Sequence, residues 1–450
     1  MLSIDNDEVQ PVIEAGCPAP YAVSEREHAA IEAAIDNHEL TELALTLGNI
    51  PSRSGQELQA AQFVRDWLQA EGFATRAVGI TAQRPNIIGE YGGRGVGANL
   101  LFTAHLDTES PTFAPDLDRY KYRDSTVARP EWTRCWLEDN RLHGFPISND
   151  RGPMSCFMIA AKALRKAGID LAGRLYLTAS PGEIGPEPIE EHRGLDHLGK
   201  DIGAHYLFHH GGVAADYAIA AEGTDFGVTW QGCGYAVLRI ELLGAGAFTP
   251  ALTHPADLMQ HPNPIYRSGR LIEALHGWGL AYERAHRYES VGGVSVPKVQ
   301  IDAVRAGLPH QFGAGSEVFS LYLEVGLTAR QTLAPIVRDL EALLRASGVG
   351  EFAVQPLALR HGFEAEPAAV QPLVAALQDA TRKVRREPLR RAHPIYSSMW
   401  RDHNVFNMQR IPAVTCGMPR VLPTPEDLVT SARIYALTAL AICGRAGGTA

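Results

Sequence analysis

The sequence is poor in cysteine, and nothing pairs the few it has. Six cysteines in 450 residues (Cys17, Cys135, Cys156, Cys233, Cys416, Cys443) include no CxxC and no CxxH spacing. A disulfide framework and a thiolate zinc site are both excluded on that count. Cys156, inside the apolar stretch RGPMSCFMIAAKAL, reads as a small core hydrophobe. Basic residues are also short: 41 Lys and Arg face 51 Asp and Glu, a net charge of -10. No tract is dense enough in cations to displace condensed counterions, so nucleic acid is not an expected partner. No apolar run reaches the roughly 18 to 20 residues that cross a bilayer. The acidic stretch MLSIDNDEVQPVIEAG lacks the basic-then-apolar profile of an export signal. A cytoplasmic protein with no membrane partner is therefore expected. Internal repeats and low-complexity tracts are missing as well.

What is present is ordinary globular composition, 45% hydrophobic and 20% charged, in a chain long enough for two or more domains. Residues 24–47 have helical periodicity behind a serine cap, and SGQELQAAQFVRDWLQAEGF repeats the pattern, with a glutamate three residues after its serine. Strand-like runs follow at PNIIGEY, NLLFTAHLD, GRLYLTAS and DYAIAAEG. Strands alternating with helices imply an α/β domain with a mainly parallel sheet, whose chemistry sits at the carboxyl ends of the strands. After Gly232 the texture changes to strands GYAVLRIELLGAG, VPKVQIDAV and EVFSLYLEVGL around a long helix. From Pro367 the first pattern returns. The expected organisation is a catalytic domain over 1–231 and 357–450, interrupted by a smaller α+β lid or dimerisation domain over 232–356.

LLFTAHLDT places His105 and Asp107 two residues apart at a strand end, on one face. The imidazole can bind a divalent metal through one nitrogen while a carboxylate fixes the other. Three more carboxylates come from Asp150 in ISNDRGPMS, Glu183 after RLYLTAS and Glu222 after YAIAAEG. Brought to one sheet edge, these groups would repel one another without a cation. Oxygen and imidazole donors without thiolate suit manganese, zinc or cobalt, among which the sequence does not choose.

The motifs NIPSRSGQE, AHLD, NDRG, GEIG and AEG, in this order and spacing, resemble the metallopeptidase family of glutamate carboxypeptidase, acetylornithine deacetylase, succinyl-diaminopimelate desuccinylase and aminoacylase. The resemblance covers nearly the whole chain. It implies two metals in an α/β domain and a lid that often pairs subunits, hence a homodimer or larger assembly. It also implies roles: His105 as a ligand of one metal with Asp107 orienting it, Asp150 as the bridge, Glu222 as the second carboxylate on the His105 metal, and Glu183 on the other metal.

Three departures from that family pattern carry the functional expectation. The family's general base precedes the Glu183 position in D-E-E-x-G, whereas this chain reads P-G-E-I-G, with Gly182 in the base's place. The C-terminal loop that normally carries a histidine ligand holds Leu422 and Pro423, and no histidine follows His403. The lid's usual histidine is replaced by Phe248, with His254 in ALTHPAD nearby. One divalent ion per chain, Mn2+ or Zn2+, is therefore expected on His105, Asp150 and Glu222, because Glu183 and a shared Asp150 are too few to hold a second. Glu183 is then free to serve as general base and acid, while Asp107 keeps its task of orienting His105. A lone ion still lowers the pKa of water from 15.7 towards ~7 but lacks the second Lewis acid. A substrate that spreads its own developing charge is the better match. The expectation is hydrolytic cleavage of a C–N bond in a small carboxylated substrate, an electron-poor aromatic amine being a fitting one; the chain also resembles a divergent, aminohydrolase branch of that family, which implies deamination of 5-nitroanthranilate. Arg401 in SSMWRDHN, with His254 and Arg267 from the lid, are the candidate substrate-binding residues. Two alternatives stay open: a two-metal amide hydrolase in which His403 or His393 supplies the missing ligand, and an inactive relative that only binds a ligand.

Overall fold

A computed structural model describes residues 19–108, 130–308, 310 and 312–447. Its centre is an eight-stranded sheet built from β1 (Ala74–Val78), β2 (Asn86–Gly92), β3 (Leu100–His105), β4 (Arg174–Ser180), β5 (Tyr217–Ala221), β6 (Gly227–Thr229), β11 (Arg390–Arg391) and β12 (Ala413–Cys416). The order across the sheet is β1-β2-β4-β3-β5-β12-β6-β11. The inner four, β4-β3-β5-β12, are mutually parallel. These strands are buried almost throughout, as a sheet covered by helices on both faces must be. His105 sits opposite Ser180 and Ala221 opposite Cys416 in the register. The strands that carry His105, Glu183 and Glu222 therefore end at one edge.

The helical region expected over 24–47 is two helices, Glu25–Ala34 and Asn37–Gly48. Ile35 is extended, and Asp36 starts the second helix by accepting from the Glu39 N–H at 3.0 Å, a local bond that competes with helix continuation. The first helix keeps its serine: Ser24 and Glu27 form a reciprocal capping box. The helix Leu58–Ala70 has no side-chain cap, because Ser54 and Glu57 are used elsewhere. The helix Gly152–Lys166, which carries Cys156, packs on the sheet beside the closing helix Pro425–Cys443. Cys156 is fully buried, and burial pushes its thiol pKa up, consistent with an inert packing role.

The smaller unit is a four-stranded antiparallel sheet ordered β8-β9-β7-β10, from β7 (Gly234–Leu243), β8 (Val299–Ala306), β9 (Val318–Leu327) and β10 (Phe352–Arg360). Strict alternation of burial along β7 marks one face packed on the helices Pro264–Ala285 and Leu333–Ser347 and one facing away. The fourth strand pairs Arg360 with Tyr235 and so runs past residue 356, where the domain was expected to end. Ion pairs tie this sheet to the loop after β4. Arg360 holds Glu187 through two hydrogen bonds of 2.9 and 3.0 Å, and Arg239 meets Glu190 at 3.0 Å. No helix among the described residues is long and apolar enough to cross a membrane.

Candidate active site

The edge where the parallel strands end is built by the loops that follow them. Leu106, just past β3, donates its N–H to the Ser180 carbonyl at 2.6 Å, which sets the chain after β3 beside the chain after β4. The NIPSRSGQE segment buttresses this corner: Ser52 Oγ donates to the Leu106 carbonyl at 2.5 Å and Thr108 N–H to the Ser52 carbonyl at 2.7 Å. Behind it Glu57 and Arg84 form a bidentate pair of 2.5 and 2.9 Å, both 1% exposed or less. The functional weight of that motif is thus to brace the His105 loop.

His105 is buried, and its Nδ1 lies 2.7 Å from the backbone carbonyl of Asp107. A carbonyl only accepts, so Nδ1 carries the hydrogen and Nε2 is the nitrogen free to bind a proton or a cation. Nε2 faces Asp150 Oδ2 at 3.0 Å and Glu183 Oε2 at 3.8 Å. Burial by itself would lower the pKa of the ring. The charges of Asp150, Glu183 and Asp107 outweigh it and hold the pKa well above the ordinary histidine value. The same carboxylates that favour a proton there favour a divalent ion.

The expected task of Asp107 needs correction. Its backbone, not its side chain, orients His105; the carboxylate stands 3.6 Å from Nδ1. Asp107 Oδ1 accepts from the Glu183 N–H at 3.0 Å, and Oδ2 accepts from Ile184 N–H at 2.9 Å and Ser54 Oγ at 2.6 Å. The carboxylate is a clamp on the turn that presents Glu183. Gly182 lies in this turn at φ +75°, and a Cβ there would stand 2.6 Å from the Gly199 carbonyl oxygen. Both the conformation and the space require glycine. The missing glutamate is therefore missing for a backbone reason.

Glu222 reaches the same place but is met by Arg401, whose Nη1 lies 2.7 Å from Glu222 Oε2. Burial, then the charges of Asp150 and Glu183, raise the Glu222 pKa well above the ordinary range against the opposing pull of Arg401. Arg420, from the loop where a histidine was sought, is also close: burial lowers its pKa, and it feels the charges of Arg401, Glu222 and Asp150. Its Nη1 is buried without a hydrogen-bond partner. Asp402 and Lys200 complete the group, and neither was found in the sequence. Burial, reinforced by the charge of Glu183, pushes the Asp402 carboxyl up to about 7. Lys200 donates to the Glu183 carbonyl, with its Nζ 3.8 Å from Glu183 Oε1. Nothing in the loop LGKDIG signals such a role, whereas Asp402 was one residue from the Arg401 already singled out.

The donor chemistry suits a divalent cation. Neither oxygen of the buried Asp150 receives a directed hydrogen bond, although Oδ2 is within contact of His105 Nε2. A buried carboxylate beside an imidazole nitrogen that can exchange its proton for a metal is an arrangement a cation satisfies. The donors do not close on a common point as they stand: among the described residues no three His, Cys, Asp or Glu side chains are set as a ready metal cage. Arg401 on Glu222 and the direct contact of His105 with Asp150 account for the open arrangement.

The sequence matches no established family profile, but solved structures share its architecture. Human carnosine dipeptidase 1 aligns over 94% of this chain and 99% of its own at 14% identity, with a TM-score of 0.64. The Saccharomyces cerevisiae dipeptidase Dug1p aligns over 94% and 100% at 11% identity, with a TM-score of 0.65. The Bacillus subtilis YXEP protein, a dinuclear metal-binding peptidase of the M20 family, aligns over 91% and 99% at 14% identity, with a TM-score of 0.55. The chain has the M20 peptidase fold. At such identities the likeness is one of architecture, and the side chains speak for themselves.

Within the M20 fold the cleft between sheet edge and lid is a cavity of about 420 Å³ lined by Glu183, Lys200, Tyr235, Ser398, Trp400 and Arg401, among others. Of the three expected substrate-binding residues only Arg401 is there. Arg267 is corrected: 5% exposed, it donates to the Val349 carbonyl at 2.7 Å and to that of Leu243, so its guanidinium seals the lid's own sheet edge. His254 is exposed on the lid, its Nδ1 3.3 Å from His261 Nε2, and does not line the cavity. His403 is buried with Nδ1 2.6 Å from Thr415 Oγ1, and burial lowers its pKa to about 3. His393 caps the turn Pro394–Ser397 by accepting from Ile395 N–H at 3.2 Å. His209 and His210 sit exposed at the end of a short helix.

Proposed function

We propose that this chain is a metal-dependent hydrolase of a C–N bond that works with one divalent ion, Mn2+ or Zn2+, on a small carboxylated substrate. Its best-matched reaction is the hydrolytic deamination of an electron-poor aromatic amine such as 5-nitroanthranilate, the activity of 5-nitroanthranilate aminohydrolase. The observation that carries this reading is the left-handed Gly182 packed on the Gly199 carbonyl, which leaves Glu183 as the carboxylate presented by that turn. His105, Asp150 and Glu222 would hold the ion, which supplies Lewis acidity for water attack. Arg401 and Arg420 bring fixed positive charge close to Glu222. A guanidinium cannot bridge and polarise an attacking oxygen as a metal does, so the substrate has to carry more of the developing charge itself.

In the reaction, water adds to the ring carbon bearing the amine and the C–N bond breaks to give a phenol and ammonia. Glu183 takes the proton from the attacking water and returns it to the leaving nitrogen. Asp107 holds the turn in place by accepting from the N–H groups of Glu183 and Ile184. Arg401 neutralises Glu222 and lines the cavity.

A second reading, two-metal amide hydrolysis, is favoured by the peptidases among the fold's neighbours. It requires another ligand: His403 spends Nδ1 on Thr415 but keeps a buried Nε2 without a partner, while His393 is used in a helix cap. The metal-loaded protein assayed against aminobenzoates, acyl-amino acids and dipeptides separates the two: ammonia from an aminobenzoate supports deamination, and release of an amino acid defeats it. The chain is further proposed to pair through the lid, whose strand β8 is an edge with Val304 exposed and Phe312 and Leu308 exposed just beyond it. That pairing rests on the exposed β8 edge alone and assigns no task to His254; a sedimentation experiment reporting a monomer would contradict it.

A further inference from the structure

The cleft carries one cation that the proposed chemistry does not use. Three basic side chains line the cavity: Lys200, Lys298 and Arg401. Arg401 is taken by Glu222 at 2.7 Å and Lys298 by Glu283 at 2.6 Å. Of the acids lining the same wall, Glu187 is held by Arg360, and Glu324, which feels the charge of Lys200, shares a hydrogen bond with Asp302. Lys200 is only 7% exposed, yet its nearest ion-pair partner is Glu183 Oε1 at 3.8 Å, and its hydrogen bond goes to a neutral carbonyl. Its ammonium lies 5.4 Å from the ring centroid of Trp400 and 5.9 Å from that of Tyr235. Both rings line the cavity. Tyr235 is pinned by its hydroxyl, which donates to Glu187 at 2.5 Å, and the Trp400 Nε1 is buried without a partner.

An ammonium flanked by two aromatic rings beside the base suits a flat anion. The rings line the wall beside the ammonium, where an aryl group would find apolar contact, and the cation would meet a carboxylate or nitro group at its edge. We propose that Lys200, Trp400 and Tyr235 form an aryl-anion subsite that orients an aromatic carboxylate against Glu183. This rests on the reading of the cleft as a hydrolase site and adds to it the group that selects the substrate. Lys200 is a specificity residue in this account, and Trp400 sets the preference for a ring.

The test is calorimetric binding of benzoate and of cyclohexanecarboxylate to the metal-loaded protein. The parent should prefer benzoate. Lys200→Met should weaken both ligands by about 10-fold or more, the loss expected of a charge-assisted hydrogen bond, and Lys200→Arg should restore much of it. Trp400→Leu should weaken benzoate alone, so that the preference collapses while Lys200 stays in place. Benzoate binding that is unchanged in Lys200→Met, or equal binding of the two ligands by the parent, would overturn the proposal. Lys200-dependent benzoate binding without ammonia release from any aminobenzoate would leave the subsite standing and remove the deamination reading. Ammonia release indifferent to Lys200 would do the reverse.

Discussion

Replacing Asp107 by asparagine separates two roles that this carboxylate could have beside His105. If the side chain oriented the imidazole, as the spacing of HLD suggests, Asp107→Asn would cost metal affinity, about 10- to 100-fold for a lost outer partner. The structure instead gives that orienting bond to the Asp107 backbone carbonyl, which the substitution keeps. The carboxylate accepts three hydrogen bonds, one on Oδ1 and two on Oδ2. Asparagine will keep its oxygen where two donors converge, so its NH2 will face the Glu183 N–H. One charge-assisted bond of about 1.5–3 kcal/mol is lost and a buried donor is left facing a donor, so the unfolding free energy should fall by roughly 2–4 kcal/mol. Because the bond lost is the one on Glu183, kcat should fall about 100-fold, the usual effect of a base displaced by about an ångström. The assays are urea unfolding, metal titration and turnover on one sample. Unchanged stability with a large loss of metal affinity would refute the clamp.

The other predictions concern single residues. Glu183→Gln should reduce turnover by about 10²- to 10⁴-fold with metal content unchanged; retained turnover would remove Glu183 as the base. Gly182→Glu, which restores the paired-glutamate motif of the resembling family, should lose stability in a thermal melt and gain no peptidase activity, because the left-handed turn against Gly199 has no room for a side chain. Breaking the buried Glu57–Arg84 pair by Arg84→Met should cost about 3–5 kcal/mol in chemical unfolding; a change below about 1 kcal/mol would mean that the brace is not structural. Arg267→Ala should lower the melting temperature and leave KM alone, since that side chain serves two lid carbonyls.

The parallel sheet, the inserted domain and the edge that gathers His105, Asp150, Glu183 and Glu222 were legible because strand periodicity and turn chemistry are local. So was the empty place at Gly182, although its cause, contact with a carbonyl 17 residues away, was not. What escaped was set by long-range geometry. Which atom of Asp107 meets the imidazole depends on the turn after β4, and no spacing encodes it. Lys200 and Asp402 enter the site from loops without periodicity, and Arg267 looked available because its carbonyl partners are 24 and 82 residues distant in sequence. Arg420 occupies a loop read only for the histidine it lacks.

Metal content per chain bears most directly on the central claim. Protein saturated with Mn2+ or Zn2+, passed through a desalting column and analysed for metal and protein together, should retain one ion per chain, and Glu222→Ala or Asp150→Ala should retain none. Two tightly held ions per parent chain would contradict the one-metal account.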